Sequence, residues 1–304
     1  MRVFVTGAHG HIGSVVTTEL LKGGHEVVGL ARSDAASDAV AALGAAVHRG
    51  SLGDLDRLGE AVASADGVIH LAFDHEAMLA GDFEAAAATD LAAIGAMAEP
   101  LAGTGKPLVG TSGTALVALL GLDRPATEDD VVAGGYRMDS ENTIIAFAER
   151  GVRTSVVRLP GAVHSDLDHH GFIPMVIAAA RAAGRSAYVG DGANRWAACH
   201  TRDAAHLYCL AVQRAPAGTR LHAIGDEGVP FRSIADTIGE HLGVPTESIA
   251  ADDADAHFGW LAGFASLNAP ASSLQTQQLI SWEPTHPGLI EDLEQGHYFA
   301  GARS

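Results

Sequence analysis

Thr6-Gly7-Ala8-His9-Gly10-His11-Ile12-Gly13 follows directly on the apolar run Val3-Phe4-Val5. Where a strand, a glycine turn and a helix come in that order, Gly7 permits the tight turn, Gly10 lets backbone approach a diphosphate, and Gly13 allows close helix packing. The helix N-terminus then faces the anion. Gly7, His9, Gly10, His11, Ile12 and Gly13 thus predict a dinucleotide cradle; the plain alternative is a turn that only needs glycine flexibility. A free ribose 2′-hydroxyl calls for a carboxylate at the end of the second strand, roughly 20 residues after the glycines. Here that place reads Leu30-Ala31-Arg32-Ser33. A guanidinium and a hydroxyl suit a 2′-phosphate through charge-assisted bonds, so Arg32 and Ser33 point to NADP. The competing readings are a solvated Arg32 and a ribose held by Asp34.

Other constellations are weaker. Ser165-Asp166-Leu167-Asp168-His169-His170 gathers two carboxylates and two imidazoles, but adjacent ligands in one loop do not converge on a single centre, so no metal is predicted. It reads as a mobile cover for a substrate, contributing His170, with Phe172 as an apolar wall. Gly190 to Trp196 reads as a turn that brings Trp196 to the pocket, and Phe258 and Trp260 have the area to close it from the C-terminal side. Core packing competes for each aromatic. Cys199 and Cys209 form neither a disulfide framework nor a zinc site.

Positioning these groups requires a sheet. Short β-branched runs at Val3-Phe4-Val5, Glu26 to Leu30, Ala46 to His48, Val68 to Leu71, Leu108-Val109 and Ser155 to Leu159 alternate with Ala- and Leu-rich stretches. Continuous apolar runs mean strands buried on both faces, as in a parallel sheet. Ile12, Val15, Val16 and Leu20 have helical spacing, ended by Gly23-Gly24. Beyond residue 165 the pattern loosens, with a strand expected at Arg220 to Ala223 and a helix at Phe231 to Leu242. The predicted organisation is an α/β, Rossmann-type, doubly wound parallel sheet with a small C-terminal substrate lobe. Residues 1–165 form the NADP-binding core, and residues 166–304 the remaining sheet elements and the lobe, packed as one unit. The 37 acidic against 19 basic residues give −18, a field that repels nucleic acid and anionic membranes. The chain lacks both a signal-peptide core and an apolar run of about 20 residues, so a cytoplasmic protein is expected.

With these residues in view the chain resembles the short-chain dehydrogenase/reductase superfamily, in its extended or atypical, epimerase/dehydratase-like branch. The matching segments are the Thr6-to-Gly13 turn, Gly50-Ser51-Leu52 with Asp54, Val68-Ile69-His70-Leu71-Ala72, Thr111-Ser112-Gly113, Arg158 to His164, and His200-Thr201-Arg202-Asp203-Ala204-Ala205. The resemblance implies about seven parallel strands. It adds Ser51, Leu52, Leu71, Ala72, Phe73, Thr111, Leu159 and Pro160 to the cofactor's surroundings. The superfamily's usual chemistry needs a Tyr four residues before a Lys, because the ammonium lowers the phenol pKa. The best register here puts Arg137 at the Lys place and Ala133 at the Tyr place. Tyr136 with Arg137, Ser112 (or Thr111 or Thr114) and His164 are the candidates for that work. The expected function is NADPH-dependent reduction of a carbonyl or imine on a small, largely apolar molecule. A nucleotide-sugar epimerase or dehydratase and a cofactor-binding sensor without turnover are the alternatives. The resemblance also implies a homodimer through the Ala-rich helices near Phe83 to Leu101 and Asn142 to Glu149, for which packing onto the sheet is the equal alternative.

Overall fold

The computed structural model describes residues 1–135 and 137–300. Its strands are β1 (Arg2–Thr6), β2 (Glu26–Ala31), β3 (Ala46–Arg49), β4 (Gly67–His70), β5 (Pro107–Gly113), β6 (Arg153–Leu159), β7 (Ala162–His164), β8 (Ser186–Val189), β9 (Arg195–His200), β10 (Thr219–His222), β11 (Asp226–Pro230) and β12 (Thr246–Ile249). Seven of them form one sheet in the order β10-β6-β5-β4-β1-β2-β3, every pairing parallel. From β1 the chain winds outward through β2 and β3, then returns to build β4, β5 and β6 on the other side. The resulting switch point between β1 and β4 is where open α/β sheets bind ligands.

Burial on both faces follows from the side-chain alternation of a strand. Val3 and Val5 meet Val16 and Leu20 of α1 (His11–Lys22) on one face, while Phe4 meets Leu58, Val62 and Met97 on the other. Those three residues lie behind α2 (Asp34–Ala42), on α3 (Leu55–Ala63) and, after α4 (His75–Leu79), on α5 (Phe83–Ala98). The short α6 (Thr114–Ala118) continues directly from β5, and α7 (Arg137–Ala146) lies across β5 and β6.

A second core lies beyond the sheet. Strands β11-β9-β7 form a small sheet, and α8 (Phe172–Ala183) and α10 (Phe231–Leu242) bury Ile173, Ile177, Phe231, Ile234 and Ile238 with Trp196. Between the two cores, α9 (Thr201–Arg214) packs against α1. Trp282 is fully buried and donates its indole N–H to Asp203 O at 3.0 Å, which fastens the C-terminal segment to the start of α9. Among the described residues, no helix is long and apolar enough to cross a membrane.

The structure corrects two expectations. The segment after β7 is not a loose cover, because Ser165 and Asp168 are buried and Asp168 accepts from Gly171 N at 2.8 Å and from the Tyr298 hydroxyl at 3.2 Å. Phe258 belongs to the second core, 6% exposed and edge-on to Phe231 at 5.8 Å.

Candidate active site

Thr6 ends β1 with its hydroxyl oxygen accepting from Leu71 N and Ala72 N, both at 3.1 Å. Those bonds use both lone pairs, so its proton goes to His70 Nδ1 at 2.7 Å, and His70 Nε2–H then faces Asp90 Oδ1 at 3.0 Å. Burial opposes ionisation of Asp90, but the bond from His70 and the nearby Arg137 hold its carboxyl below the usual range. This buried chain ties β1, β4 and α5 together beneath the glycine turn.

The turn itself has no room for side chains. Gly7 has φ +68°, and a Cβ there would come within 2.9 Å of Ala72 N; a Cβ at Gly13 would meet Gly7 O at 2.0 Å. The backbone therefore makes the wall of the cradle, with the start of α1 facing open space, and this shape fits a dinucleotide diphosphate. His9 is exposed there, while His11 turns inward. Thr201 Oγ1 donates to His164 O at 3.0 Å, so the 2.7 Å bond from His11 carries its proton on Nε2. Burial, with electrostatic coupling to the neighbouring His169, His164 and His200, depresses His11 to about 4.

At the adenosine end, the Ser33 hydroxyl caps α2 by accepting from Ala36 N, and Arg32 is exposed with only Glu76 near it, at 3.7 Å. Asp34 is taken by Arg49, which sequence reasoning did not weigh: Nη2 lies 3.0 Å from Asp34 and Nη1 donates to Ser37 at 2.6 Å. Ser51 N and Oγ donate to Asp54, and Leu52 leans on the core under β2.

At the other end, Arg137 opens α7 and lays its guanidinium over the Phe73 ring, 4.0 Å from the centroid. It donates to Thr111 O at 3.3 Å, while its Nε is buried with no partner among the described residues. The Thr111 hydroxyl donates to His70 O and shares a bond with the Tyr208 hydroxyl at 2.8 Å. Alternation turns Ser112 the other way, 3% exposed, with its hydroxyl on Met138 Sδ at 3.9 Å. Thr114 Oγ1 donates weakly to Leu159 O, beside buried Pro160. Tyr136 lies outside the described residues.

The structure separates His164 from this group. It is fully buried, its Nδ1 is 2.9 Å from Asp292 Oδ2, and it ends β7 rather than bordering an open cleft, so proton donation to a substrate is closed to it. Beyond Gly161 and Ala115, a small cavity is walled by Phe172, Trp196, Phe264 and Leu267. Phe264 sits 4.9 Å from Phe172, and Trp260, 45% exposed, stands at the rim 5.9 Å from Phe172. His170 is exposed on the preceding loop. Sequence reasoning missed His75, which opens α4 two residues beyond Phe73 and sets its ring edge-on to Phe73 at 5.6 Å. The available signal was its place just past the fourth strand.

Known proteins resemble the chain in sequence and in fold. The family described as the NAD dependent epimerase/dehydratase family matches residues 3–90. An uncharacterized protein of Schizosaccharomyces pombe is 44% identical over 98% of this chain and 100% of its own length. A 4-hydroxy-2-methyl-3-oxo-4-farnesyl-3,4-dihydroquinoline-1-oxide ketoreductase of Stigmatella aurantiaca is 29% identical over 90% of this chain and 85% of its own. The crystal structure of a double mutant of the dTDP-glucose 4,6-dehydratase DesIV from Streptomyces venezuelae, with NAD bound, shares the fold at a TM-score of 0.77. Its identity is 19%, over 100% of this chain and 98% of that one.

Proposed function

Because the chain belongs to the NAD-dependent epimerase/dehydratase family of extended short-chain dehydrogenases, we propose that it is an NADPH-dependent reductase of a carbonyl or imine group on a small, largely apolar molecule. One observation carries the reading: besides a glycine cradle for a dinucleotide, the chain has, just past β5 and β6, a small apolar cavity walled by Phe172, Trp196, Phe264 and Leu267. The ketoreductase relative points the same way. Against a nucleotide-sugar substrate, whose diphosphate needs cations, stands the use of five of the seven arginines described beyond residue 165, Arg195 and Arg202 being the exceptions. Arg185 pairs with Glu247, Arg220 with Glu141 and Arg232 with Asp236, while Arg181 and Arg214 donate to backbone carbonyls.

In this reading the start of α1 holds the diphosphate, and Arg32 with Ser33 takes the 2′-phosphate. NADPH supplies a hydride when bound. Arg137 has N–H groups to spare and sits over Phe73, so it stabilises the charge growing on the carbonyl oxygen without reorganising. Ser112 is the further candidate for orienting the substrate, and Tyr136 a candidate for supplying the proton. The aromatic wall keeps water from the reacting carbon.

Fluorescence titration of the purified protein with NADPH and NADH at equal salt tests the cofactor half of the proposal. Tighter NADPH binding is expected, lost by roughly 10- to 100-fold in Arg32→Ala, as for a hydrogen-bonded charge of about 1.5–3 kcal/mol. Equal affinity for the two cofactors overturns it. NADPH oxidation with a panel of apolar ketones tests the reaction.

A further inference from the structure

We propose that His75 is the proton donor of this site, delivering its imidazolium proton to the carbonyl oxygen as the carbonyl is reduced, with Arg137 as its electrostatic partner. The inference rests on the reductase reading above.

Its first support is chemical. Reduction of a carbonyl needs an acid, and the sequence has no Tyr four residues before a Lys to supply it, α7 beginning only at Arg137. Arginine does not fill the gap, because its guanidinium stays protonated. The second support is placement. His75 follows β4 at the carboxyl edge of the sheet, beside the switch point between β4 and β1. Phe73 gives it and Arg137 a common floor, with the guanidinium over the ring at 4.0 Å and the imidazole edge-on at 5.6 Å. The third is availability. His70 is spent between Thr6 and Asp90 and His222 between Ser272 O and Arg158, while His164, whose Nδ1 meets Asp292, is closed off by burial, as the other two are. His75, by contrast, is exposed.

The surroundings tune the group toward giving up its proton. Desolvation against Phe73 and the charge of Arg137, from α7, lower its pKa from the ordinary 6.5; the Phe73 carbonyl and Asp74 oppose them. Glu76, the next residue, lies toward Arg32 instead. The imidazolium is therefore a stronger acid than free histidine, and its population grows as pH falls.

In the step itself the carbonyl carbon accepts a hydride from reduced nicotinamide, and the C=O π pair moves onto oxygen. The oxygen takes the proton from His75, so that ketone becomes alcohol, imidazolium becomes imidazole, and solvent restores the proton. The nicotinamide is oxidised by the same two electrons.

The test combines NADPH oxidation with apolar ketones from pH 5.5 to 9 and fluorescence titration of NADPH, on wild type and His75→Ala. Wild-type kcat falls with rising pH above the His75 midpoint. His75→Ala lowers kcat by about 100-fold or more, the share a general acid contributes. It also abolishes the falling limb, leaves NADPH affinity within about twofold, and regains rate with added imidazole. A structural role for His75 produces neither the flattened profile nor the rescue. If wild type turns over and His75→Ala keeps both rate and limb, this inference alone falls. If wild type binds NADPH yet reduces no ketone, the reductase reading falls with it.

Discussion

Arg158 and Glu141 are fully buried and joined twice, Nε to Oε2 at 3.0 Å and Nη2 to Oε1 at 2.6 Å. Arg220 adds a bond to Oε1 at 2.6 Å, and His222 Nε2 accepts from Arg158 Nη1 at 3.2 Å. One carboxylate thus answers two guanidinium groups behind Ser112, and these bonds hold its carboxyl low in spite of burial. Charges taken out of water are tolerated only while paired, so removing Glu141 strands both cations. Glu141→Gln is expected to cost about 3–5 kcal/mol in urea unfolding with an unchanged m-value. The double variant Glu141→Leu/Arg158→Met costs less than Glu141→Gln alone, since the desolvation penalty leaves with the charges. Equal losses would mean that the pair does not act through its charge. Nothing in the sequence marks Glu141 as Arg158's partner, because Arg158, 17 positions further on, lies in a strand whose register is set only when β6 pairs with β5.

The join between α1, β7 and α9 responds to acid for a related reason. His200 caps α9 by accepting from Arg202 N on Nδ1 at 3.2 Å, and protonation removes that lone pair. Burial and the neighbouring His164 and His286 depress His200 to about 4, as burial and three histidines do His11. Folded values below the unfolded 6.5 mean that the unfolded chain binds more protons between those pH values, so stability is full above pH 6.5 and is lost as pH falls toward 4. Each group contributes at most about 3 kcal/mol to that loss. The melting temperature should therefore drop from pH 7 to pH 5, and less steeply in His200→Asn, which keeps a side-chain cap. A melting temperature flat to pH 5 would remove the argument. Such a join is invisible in the sequence, where His11 and Thr201 are 190 residues apart. What was legible is local: the glycine turn, the apolar strands β1, β2 and β6, and α10, whose buried Ile234 and Ile238 repeat at helical spacing. Strand β7, three residues long, exists only because Ala162 to His164 pair with Ala198 to His200. The meeting of Phe73, His75 and Arg137 likewise depends on β4 and β5 lying side by side, which no spacing records.

Taken whole, the molecule carries −18 with histidines neutral and has a sequence pI near 5.2. Protonating all 16 histidines would bring the formal balance to −2, but His11 and His200, near 4, stay neutral at pH 5 and burial also lowers His75, His222 and His257, so only part of that change is reached. Self-repulsion that keeps molecules apart at pH 8 is then reduced. Light scattering is expected to rise from pH 8 to pH 5, and two causes must be told apart. Loss of charge acts on folded molecules, so the increase should reverse on return to pH 8 with tryptophan fluorescence unchanged throughout. It should also be imitated at pH 8 by about 1 M salt, where the screening length is about 3 Å. Acid opening of the α1–α9 join instead changes the fluorescence of Trp282, which is anchored to Asp203 at the start of α9, and salt at pH 8 does not reproduce it. Scattering unchanged at pH 5 would mean that the histidines do not govern solubility. Scattering that rises only together with a fluorescence change would assign acid sensitivity to the join and not to net charge.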